Sequence, residues 1–465
     1  MPGKFQAGYN GRPPKKGQYT PLILTGLVVL AVVLFVVIRL AERNIPPADP
    51  TLSTQETTKK PGWFHKEETE PPTEAPTAPT IVSTATISAT GDVLMHMPLV
   101  NSGKVSGGYD FTGMFQYLDE YAAQADYAVA NLETTLAGTE NGYSYSGYPC
   151  FNCPDEIAEA LKGAGFDLLL TANNHCYDTR TTGVTRTLEV VRGLGLETLG
   201  TQMADGAKNL VREINGIPVG MLCYSYATKD DYPDRPSMNG ILTGKDALGM
   251  INYFDYDNLS KFYTEVEEHL TAMEAAGAKA TVMYIHWGEE YQLKANANQT
   301  AIAQKLCDLG IDVIVGGHPH VVQPVELLTS TTDDSHKTVC LYSMGNAVSN
   351  QRKGNMNLKT GHTEDGVLFS FTFAEYSDGT VRLDDVEILP TWVYMGNENN
   401  NRVYRIIPLD QQVSDWGSAF NLSSSNVTAA ESSYQRTMDL VGEGINASKE
   451  YLTAQRELAL ATISE

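Results

Sequence analysis

From about residue 82 the chain alternates aliphatic runs with amphipathic stretches, and the runs share one grammar. "TIVSTATISATGDVLMH" predicts a strand ending at Gly91–Asp92, and "YAVANLETTL" a strand whose polar end is Asn131–Glu133. "IAEALKGAGFDLLLTANNH" is a helix, a glycine-rich stop, then a strand ending at Asn173–His175. "FYTEVEEHLTAMEAAGAKATVMYIHWGEEY" repeats the order and ends at His286, and "TAIAQKLCDLGIDVIVGGHPH" repeats it again, ending at His318 and His320. Helix–strand alternation of this kind predicts an α/β domain with substantial parallel pairing, and open α/β sheets bind ligands beyond the carboxyl ends of their strands. From residue 340 the pattern turns to strands, including a hairpin with Asp378–Gly379 at its tip and the run "NRVYRIIPL". Residues 427–460 are polar and helix-prone, with weak apolar periodicity.

A different pattern precedes the domain. "LILTGLVVLAVVLFVVI", residues 22–38, is apolar on every face and uncharged, close to the shortest length that spans a bilayer. No small-x-small cleavage site follows it, and Lys4, Arg12, Lys15 and Lys16 precede it without an acid. The expectation is an uncleaved anchor with a cytoplasmic N-terminus and an extracytoplasmic main domain. Residues 44–80 are rich in Pro, Thr and Glu and predict an extended spacer. The expected organisation is therefore a cytoplasmic tail (1–20), a transmembrane helix (21–40), a disordered spacer (41–81), the α/β domain (82–410) and a polar, helical C-terminal tail (411–465).

Charge narrows the partners. With 33 basic and 56 acidic side chains, the net charge of −23 argues against nucleic acid, and an anionic ligand would need local help such as a metal cation. Six cysteines are scattered, four of them in apolar or strand-like stretches. "PCFNCP" has C-x-x-C spacing, open between a disulfide or thiol pair and incidental packing, and without a second such pair it cannot make a four-cysteine zinc site.

The strand-end residues are Asp92, His96, Asn131, Glu133, Asn174, His175, His286, His318 and His320. Taken singly, Asp92 reads as a turn or cap, His175 as a hydrogen-bonded core histidine and His286 as packing beside Trp287. His318 and His320, one proline apart after two glycines, are harder to explain as packing. Imidazole, carboxylate and amide oxygen together suit Mn, Zn or Fe, and there are enough of them for two ions sharing a carboxylate. His65, His269, His336 and His362 lie in spacer, helix-face or loop contexts and are expected to be solvated.

The ordered series "GDVLMH", "VANLETTL", "TANNHCYD", "IHWGEEY", "GGHPHVVQPVE" and "YSMGNAVSNQ", within residues 84–408, resembles the capsule-synthesis CapA family. That family is associated with bacterial poly-γ-glutamate biosynthesis and belongs to the calcineurin-like metallophosphoesterase superfamily. The resemblance implies a four-layer sandwich with two sheets between helices and a two-metal site. It makes Asp92 a ligand of the first metal, Glu133 the bridge in place of the usual aspartate, and Asn174 a ligand of the second. His286 and His318 would also bind the second metal and His320 the first, with His175 as the acid for a leaving group. His96, Asn131, Asp178 and Asn346 are further candidates. The superfamily's D-x-H opening is here Asp92-x-x-x-His96, and an offset of four on a strand points the same way as two but lies ~6.6 Å further along.

Three functions follow as expectations. The first is a membrane-anchored, extracytoplasmic capsule-synthesis protein acting on an extracellular anionic polymer such as poly-γ-glutamate or its precursors, beside membrane-embedded synthesis proteins. The second is a metal-dependent wall hydrolase unrelated to capsule, and the third is a non-enzymatic scaffold.

Overall fold

A computed structural model describes residues 78–140, 142–228, 235–355 and 358–461. The expected anchor and most of the spacer lie outside the described residues, and among those described no helix is long and apolar enough to cross a membrane. In chain order the first sheet starts with β1 (Ile81–Val93), β2 (Tyr127–Leu132), β3 (Leu168–Leu170) and β4 (Glu197–Leu199). Helices α1 (Glu156–Gly163) and α2 (Arg180–Gly193) connect them on one face. The second sheet follows as β5 (Asn209–Ile214), β6 (Ile217–Tyr226), β7 (Tyr253–Phe254), β8 (Ala280–His286), β9 (Val313–Gly317), β10 (Val325–Thr329) and β11 (Lys337–Leu341). Its crossovers carry α3 (Leu259–Ala275) and α4 (Ala297–Asp308). The chain then returns to the first sheet through β12 (Asn346–Val348), β13 (Asp365–Tyr376), β14 (Val381–Glu398) and β15 (Asn401–Pro408), and ends in α5 (Ser424–Ala461).

Strand order in the first sheet is β15-β14-β13-β1-β2-β3-β4, with β12 beside the end of β1. β1 to β4 run parallel, while β13 to β15 add an antiparallel half. The second sheet is ordered β7-β6-β8-β9-β11-β10, with parallel pairing from β7 to β11, antiparallel β10 at one edge, and β5 antiparallel to β6. Alternation along the strands explains the layering. Ile87, Val129, Phe369 and Phe371 of the first sheet meet Met221, Val282, Tyr284 and Val315 of the second in one buried cluster. The opposite faces are covered by helices: Ala128, Ala130 and Leu169 meet Ile157 and Leu161 of α1, and Met283, Ile285 and Ile314 meet Phe262, Val266, Ile302 and Leu306 of α3 and α4. Two sheets are thus enclosed between helical layers.

Residues 424–461 form a single helix that joins the core, with Val441, Ile445 and Leu452 entering the inter-sheet cluster. Two buried carboxylates fasten it. Asp365 on β13 accepts from Ser433 at 2.6 Å and from Arg436 Nε at 2.8 Å, and Asp384 on β14 accepts from Arg456 Nε at 2.9 Å. Gly444 lets the helix lie against β10, since a Cβ there would stand 1.8 Å from the Val325 carbonyl oxygen. All six cysteines are free thiols, so of the readings left open for Cys150 and Cys153 the structure carries no disulfide, and Cys153 is a buried side chain in the core beneath α1. The expectation of solvated histidines is corrected for three of them, while His65 lies outside the described residues; His362 is half-buried, with its Nδ1 enclosed. His269 Nδ1 is 3.1 Å from Asn209 Nδ2, and His336 Nε2 is 3.1 Å from the Ile311 carbonyl, both half-buried.

If the helix is structural in this way, Gly444→Leu should lower unfolding free energy by roughly 1–3 kcal/mol through overpacking. Urea denaturation checks this, and an unchanged midpoint would show that α5 can lift from β10 freely.

Candidate metal centre

The carboxyl ends of the parallel strands of both sheets meet at one edge. Register sets the spacing: Asp92 pairs with Asn131 on β2 and with Asn346 on β12, while His286 pairs with Gly317. Two glycines leave room at this edge, Gly316 within the second sheet and Gly317 between the two sheets. A Cβ on Gly316 would stand 2.0 Å from the Tyr342 carbonyl oxygen, and one on Gly317 would be 3.1 Å from Asp92 Oδ1 and 3.5 Å from His286 Nδ1. The turn that follows places His318 at φ 95° and His320 at φ 57°, a region non-glycine residues avoid at a cost of about 1–3 kcal/mol each.

That turn brings the two imidazoles to the carboxylates. Glu133, His286 and His318 form one triad and Asp92, Glu133 and His320 another, with the potential ligand atoms of each triad within 4.8 Å of one another. Glu133 belongs to both. Its Oε1 lies 3.4 Å from His286 Nε2 and its Oε2 4.0 Å from His320 Nδ1, while Asp92 Oδ2 is 3.0 Å from His320 Nδ1. Asn174 Oδ1 is 2.8 Å from His286 Nε2, so the amide oxygen faces the Glu133–His286–His318 group. Asn131 donates to Asp92 Oδ1 at 2.7 Å, and Asn346 Oδ1 is 3.2 Å from His320 Nδ1 while its Nδ2 donates to the His320 carbonyl. Both amides therefore hold candidate ligands in place.

The electrostatics are those of a site short of positive charge. Glu133 is fully buried, and neither carboxylate oxygen has a hydrogen-bond partner; His318 Nδ1 is likewise unpartnered. Burial, and then the neighbouring Asp92 charge, push the Glu133 carboxyl well above its usual range. Burial also pushes Asp92 up, but its hydrogen bond to His320 and that ring's charge more than reverse this and leave it lowered. Burial drives His286 down to about 3, and burial with the neighbouring imidazoles holds His318 well below 6.5. His286 and His318, held neutral beside a partnerless carboxyl group, suit Zn, Mn or Fe, and the orphaned Glu133 oxygens are the atoms a cation would satisfy.

His175 stands beside these groups. Its Nδ1 is 2.7 Å from Asp178 Oδ2, and the carboxylate also accepts from the Phe151 amide at 2.6 Å and, on Oδ1, from Asn239 at 3.0 Å. This fixes the Nδ1 proton toward Asp178 and leaves Nε2 as the ring's available nitrogen. His96 sits apart from both triads. Its Nδ1 is 3.2 Å from the Leu94 carbonyl, and its ring packs edge-on against Phe151 at 5.2 Å. The longer Asp–His spacing has moved it from the metal groups to the wall of a cleft.

That cleft, of about 400 Å³, opens beside the site and is lined by His96, His175, His320, Phe151 and Leu94, with Tyr148, Glu290, Tyr291, Asn350, Gln351 and Asn355. Its Glu290–Tyr291 wall is clamped to the histidine turn. Tyr291 N donates to the Pro319 carbonyl at 2.8 Å, and Gln323 donates to the Gln292 and Lys294 carbonyls at 2.8 and 3.2 Å. The sequence reading missed four participants. Asn173 donates to Asn131 Oδ1 and the Leu132 carbonyl, Gln351 donates to the Tyr291 hydroxyl, and Gln323 holds the clamp. The fourth, Asn239, lies in "SMNGIL", where Asn-Gly between apolar residues signals a hairpin turn but not where that turn docks.

Residues 86–351, more than half of the chain, match the family model described as bacterial capsule synthesis protein PGA_cap. The chain belongs to this family. Among its curated relatives in the capsule-synthesis family, a capsule biosynthesis protein CapA of Bacillus anthracis is 26% identical over 70% of this chain and 73% of its own length. A PGA biosynthesis protein CapA of Bacillus subtilis is 26% identical over 57% of this chain, which spans 63% of that relative. A solved structure from Staphylococcus aureus, assigned as a 5′-nucleotidase and bound to α-ketoglutarate, aligns with 69% of this chain and 57% of its own at 12% identity and a TM-score of 0.38.

Glu133 permits a sign-specific test. Its folded pKa lies above 4.5, so the metal-free fold loses stability as pH rises from 4.5 through the raised value, a loss that a non-ionising side chain avoids. With chelator at pH 8, Glu133→Gln should be at least as stable as wild type, by up to roughly 3 kcal/mol, and the difference should shrink toward pH 5. Parallel denaturation curves check it, and a variant less stable than wild type at pH 8 would sink the reading of Glu133 as an uncompensated buried charge.

Proposed function

We propose that this chain acts in the biosynthesis of poly-γ-glutamate or a similar extracellular anionic polymer, through a two-ion centre at the meeting edge of its two sheets. The observation that carries the metal reading is Glu133, buried without a hydrogen bond and common to both triads. The polymer reading rests on family membership and on the capsule and PGA biosynthesis names of the relatives. Asp92, Glu133 and His320 would hold one ion, and Glu133, Asn174, His286 and His318 the other. Bound there, divalent ions supply the positive charge that an oxyanion or polarised carbonyl needs, and acidify water.

The chain's own groups then divide the work. Asn131 and Asn346 orient Asp92 and His320, while the strained turn fixes His318 and His320 relative to each other. His175, held by Asp178, presents Nε2 toward the cleft and is placed to pass a proton to a leaving group. This dyad favours a hydrolytic or transfer step over a purely structural metal, in keeping with a calcineurin-like metallophosphoesterase ancestry. We read residues 21–40 as a single membrane helix with the domain outside the cytoplasm, beside membrane-embedded synthesis proteins.

Elemental analysis tests the reading directly. The purified protein should carry about two equivalents of Mn, Zn or Fe. His318→Ala/His320→Ala should lose most of both, and His286→Ala should keep the ion held by Asp92 and His320. His175→Ala should keep its metal and lose turnover of polymer or phosphoester substrates. Wild type without metal after purification in added Mn and Zn would overturn the two-ion reading.

A further inference from the structure

The cleft beside the metal centre is electrostatically lopsided. At one end it reaches the candidate metal centre through His320, with His175 beside it, while the only acidic side chain in its lining is Glu290. No Lys or Arg among the described residues lines it, and Glu290, itself exposed, is in no ion pair with a described cation. Neighbouring surfaces point the same way. Tyr291, next to Glu290 in the chain, lines the same cleft. Beside them, Gln351 joins Tyr291 to Asn346, and Tyr148, 78% exposed, also lines the cleft.

A polyanionic segment lying along this wall would meet a carboxylate with no compensating cation. A neutral amide segment would find side-chain amides and an aromatic face, and an ammonium group would find Glu290. Ions held at the His320 end would set a positive charge against Glu290 in one cleft, which fits a ligand that carries its own opposite charges.

We infer that Glu290 reads an ammonium group on a ligand whose carboxylate or carbonyl oxygen reaches the metal centre. This rests on the function proposed above and deepens it. In a γ-linked glutamate chain every residue carries a side carboxylate, but only the amino end carries an ammonium group. The site then engages the amino end of such a polymer, or a short amino-terminated precursor, and not the interior of a long chain.

The test uses the full chain, metal content measured beforehand, titrated calorimetrically with γ-glutamylglutamate and with its N-acetylated form. In wild type, N-acetylation should weaken binding at least ten-fold. In Glu290→Gln the two probes should bind alike with unchanged metal content, and Glu290→Lys should prefer the acetylated form. Equal binding of both probes to metal-loaded wild type, binding of neither, or a preference that survives Glu290→Gln would each overturn the inference while leaving the metal centre standing. A preserved amine preference in protein that holds no metal would count against the two-ion reading alone.

Discussion

Everything at this edge of the molecule is arranged around one carboxylate. Glu133 leaves β2 at the seam between two sheets, fully buried and with no donor for either oxygen. An isolated charge in such a place is among the costliest things a fold can contain. Two groups of potential ligands share it, Asp92 and His320 in one and His286 and His318 in the other, and a cation held by either would offset its charge. The glycines at 316 and 317, the left-handed turn after them and the amides around Asp92 all serve that convergence.

The four-layer arrangement supplies rigidity for it. Each sheet has a parallel run whose successive strands deliver their carboxyl ends to the same side, and the antiparallel strands, half of the first sheet and the margins of the second, carry none of the candidate ligands. The C-terminal helix closes the opposite problem. It fills the gap between β14 of the first sheet and β10 of the second, tied by Asp365 and Asp384. Family membership and site geometry are independent lines that meet here: one speaks to a capsule polymer, the other to metal chemistry.

Much of this was legible in the sequence, for identifiable reasons. The helix–glycine–strand pattern ahead of His175, His286 and His318 is local, and it places those residues at strand ends without knowledge of the partner strand. The hairpin tip at Asp378–Gly379 is local too, with Gly379 at φ 85° between β13 and β14. What could not be read depends on distant pairing. Nothing near residue 92 announces that β1 pairs with β13, nearly the whole domain away, or that β12 runs beside its end. Asn173, Gln323 and Asn239 act through contacts that only the assembled sheets create, and polar residues of this kind are ordinary in loops. The helix after residue 427 was legible, but its weak periodicity did not reveal that it buries one narrow stripe, because Ser433, Thr437 and Ser448 are among its buried positions.

The clamp on the 287–296 segment has an evolutionary consequence. A surface loop beside a cleft is normally where a protein family experiments with length. Here Tyr291 is fastened to Pro319, and Gln323 to the carbonyls of Gln292 and Lys294, so an inserted or deleted residue would be transmitted to both histidines of the turn. Variation in ligand preference is therefore channelled into single substitutions on this wall. The same constraint holds across the cleft, where Phe151 is tied to Asp178 and Gln351 to Asn346, so the lengths of the segments around Tyr148 and Asn355 are coupled to the centre as well.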